Sequence, residues 1–247
     1  GSHGSHRPNR KHRTEDLHQR SDLDRGKTLP SSTVSVPTSC VIAEEGVYSV
    51  AAHGVKMEAV LVPSSPVGYS GKWTGGKAMS YQQSYASPVV IGAVQTYSDS
   101  RWQVFWSNGG SEKSPASSSS LDVGRGVGED PDRSRGSDTV GYIVFEAGTS
   151  SLGGSSAVAG MTGRVVGGAE GSPNGFTAPH VIGVSGLSGS GSVGAVVCQC
   201  GMYGGDGSWA VLYGSDAATS SSLSVAVVED RKKDDELFHI EEAVCYV

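Results

Sequence analysis

The sequence predicts an all-β protein: two tandem antiparallel β-sandwich domains preceded by an extended polar N-terminal arm. Three observations carry that prediction. The apolar stretches are short and rich in Val, and most are flanked on at least one side by Gly, Ser or Pro. No stretch of the 247 residues keeps a helical period. A set of segments also recurs in one order, which marks a duplicated unit. Glu44-Glu45-Gly46-Val47-Tyr48-Ser49-Val50, Asp138-Thr139-Val140-Gly141-Tyr142-Ile143-Val144 and Glu241-Glu242-Ala243-Val244-Cys245-Tyr246-Val247 share acids, small or β-branched residues, a tyrosine and an aliphatic. Ala86-Ser87-Pro88-Val89-Val90-Ile91-Gly92 matches Ala178-Pro179-His180-Val181-Ile182-Gly183, and Arg101-Trp102-Gln103-Val104-Phe105 matches Ser208-Trp209-Ala210-Val211-Leu212. The boundaries that follow are an arm over 1–39, a first sandwich over 40–148 and a second over 149–247. Each sandwich is long enough to bury a core.

The arm is a different material. It holds seven Lys or Arg against four acids, a net +3, which leaves −9 for the remainder of a chain whose total is −6. With few apolar residues before Val34, it cannot fold alone. Gly1-Ser2-His3 has the look of an expression scar, and the basic run over 7–13 that of processing after a removed leader; the reading leans to a processed, secreted chain. No stretch reaches the ~18 apolar residues of a membrane span. Nucleic acid is a poor partner, because the basic arm carries no interleaved aromatics and the body is acidic.

Four cysteines, Cys40, Cys198, Cys200 and Cys245, fit an oxidising compartment. A Cys198–Cys200 bridge closes a strained loop and ranks last. Cys40 and Cys245, each bonded to one member of the Cys-Gln-Cys pair, tie both ends of the duplicated region to the second domain. Four reduced thiols in a cytosolic protein is the alternative.

Fragments that imitate catalytic motifs do not assemble into one. Arg164-Val165-Val166-Gly167-Gly168 and Ala51-Ala52-His53 resemble pieces of trypsin-like proteases, but their order is reversed and Gly204-Gly205-Asp206-Gly207-Ser208 reads only as a glycine-rich turn. No catalytic residue, cofactor or metal is assigned. The acids Glu129, Asp130, Asp132 and Asp138 suggest calcium, yet Arg125, Arg133 and Arg135 interleave them, so a solvated, self-neutralising loop is the better reading. Glu44/Glu45 and Glu241/Glu242 read as strand-edge solubility devices. Among the rings, Trp102 and Trp209 are expected to anchor one sandwich core each. Trp73, in a turn-like stretch, is the expected exposed ring, and with Tyr69 forms the candidate carbohydrate site. No Asn-x-Ser/Thr acceptor occurs; residues 29–39 and the serines at 117–120 are candidate O-glycan carriers, the basis for reading a glycoprotein.

The order Pro-Val-Val-Ile, Gln-Thr-Tyr, a loop, then Thr-Val-Gly-Tyr-Ile-Val-Phe-Glu-Ala-Gly resembles the H-type-lectin-like β-sandwich repeats of large secreted bacterial and algal surface proteins. The likeness covers residues 88–148 well and 179–247 more loosely, with an insert over 191–207. It implies an extracellular, adhesive or matrix-building role. The histidine that such repeats place before the Val-Gly-Tyr strand is missing in the first copy, while His239 stands near it in the second, so no sugar-binding residues are carried over.

The first copy continues past Tyr142 through Ile143-Val144-Phe145-Glu146-Ala147-Gly148, whereas the last tyrosine segment stops one residue beyond Tyr246. The expectation is a second sandwich left short at its tail, around Val244, Tyr246 and Val247, and completed by an extended segment from another chain. Val34 and Val36, in Ser32-Thr33-Val34-Ser35-Val36, are the candidate donor, drawn also by the charge of Glu229, Asp230, Asp234, Asp235 and Glu236. A head-to-tail contact of unlike surfaces builds filaments. The expected function is a secreted structural protein polymerising through its arm, with a lectin or adhesin as the alternative and glycans as the other candidate partner.

Overall fold

The computed structural model describes residues 39–63, 67–68, 73, 75–168, 179–188, 192–230 and 239–247. The arm, with Val34 and Val36, and the ring of Tyr69 lie outside the described residues. The protein is all-β. Its strands are β1 (Gly46–Tyr48), β2 (Met57–Val62), β3 (Val67–Gly68), β4 (Lys77–Met79), β5 (Pro88–Val94), β6 (Val104–Asn108), β7 (Leu121–Gly126), β8 (Val140–Glu146), β9 (Gly148–Leu152), β10 (Ser155–Met161), β11 (His180–Gly183), β12 (Val197–Gln199), β13 (Ser208–Leu212), β14 (Ser222–Glu229) and β15 (Val244–Tyr246). One helical turn, α1 (Val50–His53), is capped by Ser49 at its start and by Gly54, at φ 75°, at its end.

The strands form four sheets: β1-β2-β8-β5, β3-β7-β4 with β6 also on β7, β12-β15-β10-β9, and β11-β14-β13. Every pairing between these strands is antiparallel except β3 with β7; an isolated parallel bridge also joins Gly168 to Val227. The same scheme occurs twice. β8 lies between β2 and β5, and β15 lies between β10 and β12. Tyr142 sits opposite Val60 and Gly92; Tyr246 sits opposite Gly160 and Val197. β7 lies between β4 and β6, as β14 lies between β11 and β13.

Three apolar clusters lie between these sheets. In the first, Val90, Val140, Tyr142 and Val144 meet Phe105, Leu121 and Val123. In the third, Val244 and Ala195 meet Leu223, Val225 and Val227. The second joins the halves: Val89, Ile91 and Phe145 meet Cys200, Ala243 and Cys245. Strand periodicity explains the division, because successive residues of β8 point to opposite faces. Tyr142 and Val144 enter the first cluster, while Ile143 and Phe145 enter the second. β8 is therefore a near-continuous apolar run, since both its faces are buried.

Three segment matches need correction. The tryptophan match is two residues out of register: Arg125 and Val227 each take a parallel partner, so Trp209, opposite Val228, corresponds to Val104, opposite Gly126, and not to Trp102. The counterpart of β5 is β12 and not the Ala178–Gly183 stretch, because β12 pairs β15 as β5 pairs β8, whereas β11 pairs β14. A cysteine and a glutamine in β12 disguise the likeness. Tyr48 is not a counterpart of Tyr142 either: it lies on β1, an edge strand of the first sheet, and the matching edge in the second half is β9.

A buried carboxylate recurs two residues before each of Val140 and Val244. Asp138 Oδ1 accepts hydrogen bonds from Ser98 N at 2.7 Å and Thr96 Oγ1 at 2.8 Å. Glu242 accepts from Tyr203 N at 2.7 Å and Gly204 N at 2.7 Å. Each holds the turn that leaves the strand next to its own, and each is fully buried. Glu242 is thus no edge device, and Asp138 is not solvated. The self-neutralisation expected of the acidic loop is observed: Asp130 pairs with Arg135, Asp132 with Arg101, and Asp138 with Arg125.

Candidate functional site

A cavity of about 550 Å3 opens beside β10. Its walls are residues 154–158 on one side and 192–196 on the other, with Val184, Leu187 and Leu223 beneath and Ser39, Cys40 and Val41 at the rim. Among the described residues, none of its lining side chains is charged.

Strand pairing explains why the cavity is there. Residues 155–159 of β10 are paired along one edge with β9, but along the other edge only Gly160 and Met161 meet β15. Across the cavity, Val196 and Val247 exchange backbone hydrogen bonds at 2.9 and 3.0 Å. The line of β15 therefore runs from Val247 straight between the two walls. In the first half the corresponding line is occupied by residues 143–146 of β8, which pair with β2 on one side and β5 on the other. Thr162 N donates to Val244 O, so the period of two turns the N–H groups of Val158 and Ser156 toward the cavity. Backbone groups on such an edge seek a strand partner. Of the candidate assembly residues, Tyr246 and Val247 line this cavity, and Val244 is buried against Leu223 and Val225. The wall over 155–158 is not legible in the sequence, because its serines and the preceding glycines read as loop, whereas the stretch over 193–197 reads as a short Val-rich strand.

The other candidates fall elsewhere. Trp73 is not exposed: it is buried and stacks on Trp106 at 5.6 Å with an interplanar angle of 9°. The neighbouring glycines let the two rings lie flat; a Cβ on Gly124 would stand 2.3 Å from the Trp106 ring. Trp73 therefore offers no face to a sugar. Trp102 and Trp209 do not anchor separate cores either, because they meet each other, ring centroids 4.6 Å apart.

All four cysteines are free thiols, so the expected bridges are not formed. Cys245 lies opposite Cys198 in the ladder, but the sulfurs engage in hydrogen bonds instead, Cys198 to Gly92 O at 3.6 Å and Cys200 with Cys245. Burial pushes the Cys198 thiol up to about 12 and that of Cys200 well above its ordinary value, which leaves both unreactive. Cys40 is exposed.

Ser208, His239 and Glu229 come together in a way the sequence did not show. Ser208 Oγ lies 3.1 Å from His239 Nε2, and His239 Nδ1 lies 3.3 Å from Glu229 Oε2. His239 Nε2 is also 2.9 Å from Glu242 Oε1. Burial opposes the charge on His239, yet hydrogen bonds to Glu229 and Glu242 raise its pKa to about 9. An imidazolium between two carboxylates has no lone pair to take a serine proton. The adjoining cavity, about 10 Å3, admits no substrate. The cluster is a structural lock, with His239 as the cation beside Glu242 as Arg125 is beside Asp138.

That lock makes stability depend on pH. The folded pKa of about 9 lies above the ordinary 6.5. The contribution is complete below 6.5 and is lost as pH rises through 9, a decline of about 3 kcal/mol. Urea unfolding at pH 6.5 and pH 9.5 measures it, and His239→Gln is expected to flatten the difference. At the acid end Asp138 acts in the opposite sense. Burial opposes its charge, but the bonds from Ser98, Thr96 and Gln103 hold its carboxyl below the usual range, so its contribution fades as the pH drops into that range.

One carboxylate oxygen from each of Glu129, Asp206 and Glu229 lies within 4.8 Å of the others, an oxygen set of the kind that holds a divalent cation. These residues engage other partners as well.

The geometry defines an all-β protein whose distinctive site is a sheet edge, open among the described residues, facing an uncharged cavity. No family model, curated protein or solved structure matches the chain.

Proposed function

We propose that the protein is a secreted structural protein that polymerises head-to-tail into an extracellular filament or surface appendage through its N-terminal arm. In this reading the chain is two tandem β-sandwiches, over 40–148 and 149–247, and the second receives a strand from a neighbouring copy. The observation that carries it is the cavity along β10, at the place where the first half has its own chain paired on both sides. The extracellular setting is supported by the likeness to H-type-lectin-like repeats; free thiols remove the cysteine argument for it. Attraction of the basic arm to Glu229 and Asp230 is not part of the reading, because both are buried. The carbohydrate-binding alternative loses Trp73, its principal ring.

Deleting residues 1–38 tests the proposal. The full chain is expected to form polymers visible in electron micrographs, and the shortened chain to remain monomeric in sedimentation. Undiminished assembly of the shortened chain would contradict the role of the arm.

A further inference from the structure

We infer that the cavity beside β10 is a strand-acceptor site selective for an uncharged, alternating Val/Ser segment, and that its occupant is Ser32-Thr33-Val34-Ser35-Val36 with both valines against Leu223. This inference rests on the assembly proposal and names the partner segment and its register.

Five observations select that segment. The lining of the cavity holds no charged residue, and an unpaired charge entering it costs desolvation. Residues 29–38 are the uncharged part of an arm whose first 27 residues carry all its charges. Pro30 and Pro37 bracket a stretch of six residues; prolines interrupt a ladder, so the stretch between them is the part able to pair. The open edge of β10 spans residues 155–158, which a stretch of six is long enough to cover. Finally, the arm joins the described chain at Ser39, which itself lines the cavity.

The register follows from alternation. Tyr246 packs toward the third cluster and Val247 toward the second. The next positions along that line alternate between the wall of Val184, Ala195 and Leu223 and the rim of Ser39, Cys40 and Val41. Val34 and Val36 share one face of an extended segment, Thr33 and Ser35 the other. The apolar wall takes the valines, and the N–H groups of Ser156 and Val158 bond the incoming backbone.

The test uses the full chain with a photo-cross-linking residue in place of Val34, the products being mapped by mass spectrometry. Cross-links to residues 155–159, 192–196 or 223 are expected. Cross-links elsewhere, or none, would overturn the acceptor assignment. The mass of the product separates the two claims: a dimer-sized product supports site and assembly together, while a monomer-sized product carrying the same cross-link keeps the site and overturns intermolecular assembly. With the cross-linking residue moved to position 35, Val34→Asp with Val36→Asp is expected to reduce the yield at least ~10-fold, and Thr14→Asp, in the charged part of the arm, to leave it unchanged. Equal yields from both variants would overturn the selectivity.

Discussion

Glu242→Ala is expected to lower the unfolding free energy by about 3–5 kcal/mol, as loss of one partner from a buried ionic cluster does. Glu242 is fully buried, accepts two backbone N–H groups at 2.7 Å, and faces the His239 cation. Removing it orphans the amides of Tyr203 and Gly204 and leaves His239 with Glu229 alone of the two carboxylates on its ring. The neighbouring Glu241→Ala is expected to change stability by less than about 0.5 kcal/mol, since Glu241 is exposed. Urea denaturation of both variants gives the comparison. Equal effects would mean that the buried lock does not hold the turn into β13.

Ala157→Asp is the second large effect, and it acts on assembly and not on folding. Ala157 lines the cavity, so a carboxylate there stays hydrated while the cavity is open. An arriving strand would have to strip that water in a lining without a cation. Self-association is expected to weaken ~100-fold, equivalent to about 3 kcal/mol, with the urea midpoint of the unassembled protein little changed. Sedimentation over a concentration series measures it. Assembly at the parent concentration would show that this wall is not an interface.

The strand content was legible because short Val-rich stretches bounded by Gly and Ser have few other physical solutions. The tryptophan match did not survive in register: Trp209 lies within β13, whereas Trp102 precedes β6, whose Val104 takes the corresponding place. The register of β5 was not legible either: β12 carries Cys198 and Gln199 where β5 carries Ala93 and Val94 in the ladder, so His180-Val181-Ile182 reads as the better match. Burial of Trp73 was hidden by its glycine neighbours. Those glycines look like a turn, but Gly76 and Gly124 are small because the Trp106 ring lies against them. The candidate assembly residues at 244–247 rest on the expectation of a short last repeat, while the wall over 155–158 depends on tertiary pairing that no local pattern reports. The buried contact of Ser208 with His239 was likewise invisible, since 31 positions separate them.

The most direct test is amide hydrogen exchange at Ser156 and Val158, two donors whose partner is the whole question. In the assembled full-length chain, both are expected to exchange as slowly as Glu58, the residue of β2 that corresponds to Val158, and quickly once residues 1–38 are removed. Fast exchange at both positions within intact polymers would mean that no strand lies along this edge.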